Sequence, residues 1–94
     1  MAKFEWDENK AASNLRKHGI SFESAARVFL DPLAIREQDQ IVDDEERWQI
    51  IGTYDTFKLV VVAHTTRDNQ DGEEFIRIIS ARKAERRERR RYEG

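Results

Sequence analysis

A chain of 94 residues and 11.1 kDa has room for one domain, residues 1–94, because single domains mostly run to ~100–200 residues. Apolar and charged residues each make up 38% and nine residues are aromatic, too bulky a composition for wholesale disorder, while the lack of cysteine excludes a disulfide scaffold and any thiolate metal site. No apolar run nears the ~20 residues that cross a bilayer, and the opening MAKFEWDENK holds no signal-peptide core, so a cytoplasmic protein with no membrane contact is expected.

The net charge of −2 conceals an asymmetry. Residues 77–94 carry eight Arg and Lys against three Glu, a net of +5, whereas residues 1–76 carry nine against sixteen acids, a net of −7. Local charge sets local potential. The C-terminal segment is therefore a candidate contact for a polyanion.

In chain order, Phe4-Glu5-Trp6 is either a short strand or a packed lead-in. Asp7 is a good N-cap and Glu8 suits the positive helix end, which predicts a helix over Glu8–Lys17 stopped by His18-Gly19. Ser21 caps a second helix, whose Phe22, Ala25, Ala26 and Phe29 fall on one face, and Asp31-Pro32 closes it. The period then changes to two. Strands are predicted at Leu33–Glu37, Arg47–Tyr54, Lys58–Thr66 and Glu74–Ile79, with an acidic loop around Asp43-Asp44-Glu45, a tight turn at Asp55-Thr56 and a turn over residues 68–72. The stretch KLVVVAHTT is apolar on both faces and reads as a central strand. Ser80 is expected to cap a basic helix running from Ala81 to about Tyr92, eased by Glu85/Arg89 and Glu88/Arg91 pairs. The short connections favour an antiparallel meander. The fold class is α+β: two N-terminal helices, an antiparallel sheet of about four strands, and a C-terminal basic helix.

No glycine-rich phosphate loop and no metal-ligand spacing occur, and the two histidines, His18 and His64, lie in different elements. No cofactor is expected. The acidic run Asp43–Glu46 reads first as solvated surface. More informative is the group His64, Arg67, Arg77, Ser80 and Arg82. Arg77 interrupts an apolar strand, so it either reaches solvent or pairs with an anion, since burying it alone costs several kcal/mol; guanidinium meets phosphate in bidentate geometry. His64 titrates near neutrality and suits proton transfer, though a lone histidine in a strand serves equally as a core residue. Lys17 and His18 sit at a helix C-terminus, where the dipole alone favours cations. This inventory fits metal-free RNA cleavage. RNA carries its own nucleophile, the 2′-OH, so a protein needs only a base, an acid, and cations for the phosphorane charge.

The blocks FEWDENKAASNLRKHGISFESAARVF, DEERWQIIG and IRIISARKAERRERRRYE, in this order and spacing, resemble the BrnT family of type II toxin–antitoxin toxins over nearly the whole chain. The resemblance implies a RelE-like fold and a ribonuclease that inhibits translation. It also implies neutralisation by a BrnA-type antitoxin in a hetero-oligomer, with promoter DNA reached through the antitoxin. Within these blocks stand Lys17, Arg47, Trp48, Arg77, Ser80, Arg82, Lys83 and Tyr92. Arg77 and Arg67 are assigned to the scissile phosphate, His64 or Lys17 to the 2′-OH, and Glu46 to the role of alternative base. Arg47, Trp48, Ser80, Arg82, Lys83 and Tyr92 are assigned to substrate binding, with Trp48 either stacking on a base or packing in the core. The competing reading is a module without catalysis, whose basic helix holds nucleic acid or docks an acidic protein.

Overall fold

Residues 2–55 and 58–94 are described by the structure, a computed structural model. Five strands form one sheet in the order β1-β5-β4-β3-β2: β1 Ala2–Glu5, β2 Ile35–Val42, β3 Glu45–Asp55, β4 Lys58–Asp68 and β5 Glu74–Lys83. Strands β2 to β5 are the predicted antiparallel meander. The sheet is nevertheless mixed, because β1 adds a fifth strand parallel to β5, with Glu5 in register with Arg77. Four residues are too short to declare themselves in a sequence. Only the open edge of β5 makes them a strand.

Between β1 and β2 lie α1 (Glu8–His18) and α2 (Phe22–Arg27), the latter continuing into a 3₁₀ turn over Val28–Leu30. Their caps are the expected ones. The Asp7 carboxylate accepts from the amides of Asn9 and Lys10 at 2.8 and 3.1 Å, and Ser21 Oγ accepts from Ser24 at 3.0 Å. Gly19 ends α1 at φ 71°, where its amide donates to Leu15; a side chain there would be strained. Phe22, Ala25 and Val28 are fully buried against Ile50, Val60, Val62, Ile76 and Ile78, with Ala26 and Phe29 packed at the margin. The approach is close at Gly52, where a Cβ would lie 3.0 Å from Val28, Asp31 and Ala34 side-chain atoms.

The acidic segment after β2 is tighter than a loop. β2 runs on to Val42, and Asp43 and Asp44 adopt φ of 51° and 63°, the paired positive values of a type I′ hairpin turn. Glu45 and Glu46 thereby join β3. Cross-strand pairing overrides the weak strand propensity of EQDQ. The predicted turn at Asp55-Thr56 falls partly outside the described residues.

The largest correction is at the C-terminus. Ser80 does not start a helix: β5 continues through Lys83, and α3 spans Arg86–Glu93. Ala81, Arg82 and Lys83 pair with Val62, Val61 and Val60 of β4, so ladder hydrogen bonds outcompete the Ser80 cap. The cap is Glu85, in a reciprocal box with Glu88. The expected Glu88/Arg91 and Glu85/Arg89 pairs do not form. Glu88 instead receives both guanidinium nitrogens of Arg82, at 2.8 and 2.7 Å, and Arg91 pairs with Glu37 on β2. A bulge leaves Ile79 without a partner, since Ala63 faces Ser80 but His64 faces Ile78. This shifts the alternation, so that Ile76, Ile78 and then Ala81 share one core. The other sheet face holds Ile51, Leu59 and Val61 under Ala84 and Tyr92. Strand β4 is thus covered on both faces, as its composition requires.

Candidate functional site

Three of the predicted catalytic residues meet in one recess. Glu46 from β3, Arg67 from β4 and Arg77 from β5 line a cavity of about 290 Å³ together with Thr65, Thr66 and two further acids, Asp44 and Glu45. Strand alternation aligns the two arginines: Thr65 stands opposite Arg77 in the β4–β5 register, and Arg67 follows two positions on. Arg77 is exposed and, among the described residues, has no carboxylate partner. It also lines an adjoining recess of about 300 Å³ with Glu5, Trp6 and Asp7. The strand interrupter therefore reaches solvent as an unpaired cation between two hollows.

Arg67 is held differently. Its Nη1 donates to Glu5 Oε1 at 2.6 Å, and its guanidinium lies 4.9 Å from the Phe75 ring centre. Both partners of the ion pair are well exposed, at 63% and 44%, and such pairs contribute little. A phosphate can displace Glu5 without large loss. Glu46 offers a carboxylate in the same recess, on the strand next to Arg67.

His64 is elsewhere. It is completely buried, its ring edge-to-face with Phe29 at 4.8 Å, and Nδ1 lies 3.0 Å from the Val62 carbonyl. Burial, with the Arg36 charge adding to it, pulls its pKa down to about 4, so the ring is neutral at pH 7 and Nδ1 donates to Val62. Nε2 has no hydrogen-bond partner. Next to it in the β3–β4 register is Trp48, whose indole nitrogen is likewise buried and unpartnered, as is Nε of the half-buried Arg47.

The remaining predicted residues lie away from the Arg77 recess. Lys17 and Ser80 share a shallow cavity of about 220 Å³ with Lys10 and His18. Arg82 is engaged by Glu88, and Lys83 opens onto a separate cavity at the far end of β5. Tyr92 donates its phenol to Asp31 at 2.7 Å and packs beside the Ile51 cluster. Asp31 also accepts from the amides of Thr53 and Leu33, and despite partial burial these bonds, Tyr92 first, hold its pKa below the usual range. On α3, Arg86, Arg87, Arg89, Arg90 and Arg91 are exposed. Among the described residues no group of three His, Asp or Glu is placed to hold a metal ion. Sequence reasoning missed Glu5, Thr65 and Thr66. The i, i+2 spacing of Thr65 and Arg67 was the available signal, whereas Glu5 belongs to a strand distant in sequence.

A five-stranded mixed sheet with helices before β2 and a basic helix after β5 defines a small α+β domain. The chain is similar to the 1.1 Å crystal structure of the Brucella abortus ribonuclease toxin, BrnT, with a TM-score of 0.65 and 25% identity over 92% of this chain and 100% of that one. No curated protein matches by sequence. Residues 6–88 match the family described as "Ribonuclease toxin, BrnT, of type II toxin-antitoxin system", and the chain belongs to that family.

Proposed function

We propose that this protein cuts RNA without a metal ion, at the recess formed by Glu46, Arg67 and Arg77. The observation that carries the reading is Arg77, an exposed guanidinium with no carboxylate partner among the described residues, sharing one cavity with a second arginine and with Asp44, Glu45 and Glu46. Glu46 takes the proton of a 2′-OH. The 2′-oxygen attacks the adjacent phosphorus, the bond from phosphorus to the 5′-oxygen breaks, and that oxygen takes a proton from water at the open recess as it leaves. Arg77 and Arg67 bind the non-bridging oxygens, whose charge grows in the transition state. The products are a 2′,3′-cyclic phosphate and a 5′-hydroxyl. His64, neutral and enclosed, positions β4 in this scheme instead of moving a proton. Lys17, Arg47 and Lys83 supply further cations, and Ser80 a hydroxyl, to the strand as it passes.

As in a RelE-like toxin, the cut RNA is message, translation is the process inhibited, and a BrnA-type antitoxin covers the Arg67–Arg77 recess in a hetero-oligomer that also reaches promoter DNA. A second reading is favoured by the five exposed arginines of α3: a module that binds nucleic acid and leaves it intact. One experiment separates the two. Purified protein is incubated with a defined RNA in EDTA, with Arg77→Ala alongside, and then with ribosome-bound message. Cyclic-phosphate ends, lost in the variant, support cleavage at this recess. Intact RNA in both settings, bound but uncut, leaves the binding module.

A further inference from the structure

At the opposite end of the sheet is a cavity that shares only Lys83 with the cleavage scheme. It encloses about 340 Å³ between the C-terminus of α1, the β3–β4 end and α3, within the range of ~300–1,000 Å³ typical of small-ligand sites. Four basic side chains line it: His18, Lys58, Lys83 and Arg89. They come from α1, β4, β5 and α3, so no single helix or run explains their convergence. The dipole of α1 accounts for His18 alone. None of the four is in an ion pair with a carboxylate among the described residues. Like charges gathered about a hollow repel unless an anion joins them.

The rest of the wall is not polar. Tyr54 stands on it, its ring held under the Arg27 guanidinium at 5.6 Å, and Leu59 contributes apolar floor. An aromatic wall, an apolar floor and converging cations match a base and its phosphate. A bare anion has no use for the first two. From the geometry we infer that this cavity binds a nucleotide, the end of the RNA strand whose scissile phosphate lies at Arg77; the RNA as its source rests on the ribonuclease reading. Lys83 and Arg77 are six residues apart on β5, ~20 Å of strand, so the cavity is an anchor remote from the bond that breaks.

Titration with adenosine monophosphate, followed by amide NMR, tests the site without any cleavage. Saturable shifts centred on Gly19, Leu59 and Ala84 are expected, with inorganic phosphate and adenosine each binding more weakly. The Lys58→Ala/Arg89→Ala double variant, two exposed positions, is expected to weaken binding about tenfold or more. In cleavage assays it is expected to raise KM for RNA and spare kcat. No saturation by about 10 mM, shifts centred on the Arg67–Arg77 recess, or phosphate binding as tightly as the nucleotide would overturn the site. Nucleotide binding with an unchanged KM would overturn the RNA strand as its source. If the parent protein cut no RNA yet bound the nucleotide, the ribonuclease reading would fail and the pocket would stand.

Discussion

Asn14 of α1 clamps the backbone of Ala81 on β5. Its Nδ2 donates to the Ala81 carbonyl at 2.9 Å and to Ile20 at 3.0 Å, and its Oδ1 accepts from the Ala81 amide at 3.1 Å. The pairing of β1 with β5 ends at Glu5 and Arg77, so beyond that point α1 supplies what a strand would. Asn14→Ala leaves three buried backbone groups unpaired and is expected to cost about 2–4 kcal/mol. The melting temperature should fall by more than about 10 °C; a shift within error would show the clamp to be dispensable.

Arg82 and Glu88 join the end of β5 to α3, with the Glu88 side chain only 10% exposed. The Arg82 hydrogen bonds, opposed in part by burial, hold the Glu88 carboxyl below the usual range. A depressed carboxyl stabilises the fold above its unfolded pKa and stops doing so as pH falls through the folded value. Stability from this pair is therefore complete at pH 7 and declines below about pH 4.5. Arg82→Ala should cost about 1–2 kcal/mol at pH 7, the upper end limited by solvent around the half-exposed Arg82, and the loss should shrink in acid. Urea unfolding across pH would read this directly, and a loss that stays constant with pH would count against the pair.

His64 acts in an adjacent window. Its folded pKa is about 4, against 6.5 for the free side chain. The unfolded chain thus takes up a proton near pH 6.5 that the folded one refuses until near pH 4. Stability is full above pH 6.5, falls between 6.5 and 4 by about 3 kcal/mol, and changes no further from this source below. His64→Leu removes the slope in that interval; a wild-type curve already flat there would contradict the buried neutral ring.

Arg77 is exposed, so its removal should leave the fold intact and remove charge stabilisation in the transition state. Arg77→Ala is expected to lower kcat about 10²–10³-fold, the usual scale for losing one such donor. Arg77→Lys should recover only part of it, because a single ammonium cannot bind two phosphate oxygens at once. Equal activity in the alanine variant would move the cleavage site elsewhere.

Tyr92 ties the last turn of α3 to Asp31, which follows the 3₁₀ turn. Tyr92→Phe keeps the ring and deletes that bond, for an expected cost of about 0.5–1.5 kcal/mol. Hydrogen exchange at the end of α3 should rise in step with it. Unchanged protection would mean that ring packing alone holds the helix.

Local chemistry sufficed to place the two N-terminal helices, because their caps, Asp7 and Ser21, and their stops, Gly19 and Asp31-Pro32, act on residues a few positions away. The alternation of residues 47–79 and the two-sided apolarity of β4 likewise announced an antiparallel meander. Pairings across long separations could not be read that way. β1 is a strand only because β5 offers an edge, β5 runs past Ser80 only because β4 holds Ala81 through Lys83, and Glu88 meets Arg82 only because the chain turns there. The same division runs through the candidate site. Arg77 stood out as a cation inside an apolar strand, a local anomaly, and Arg67 as a cation just past the end of another. Their convergence with Glu46, and the enclosure of His64 behind Phe29, came from sheet register and helix packing, whose energies depend on contacts that no short stretch of sequence contains.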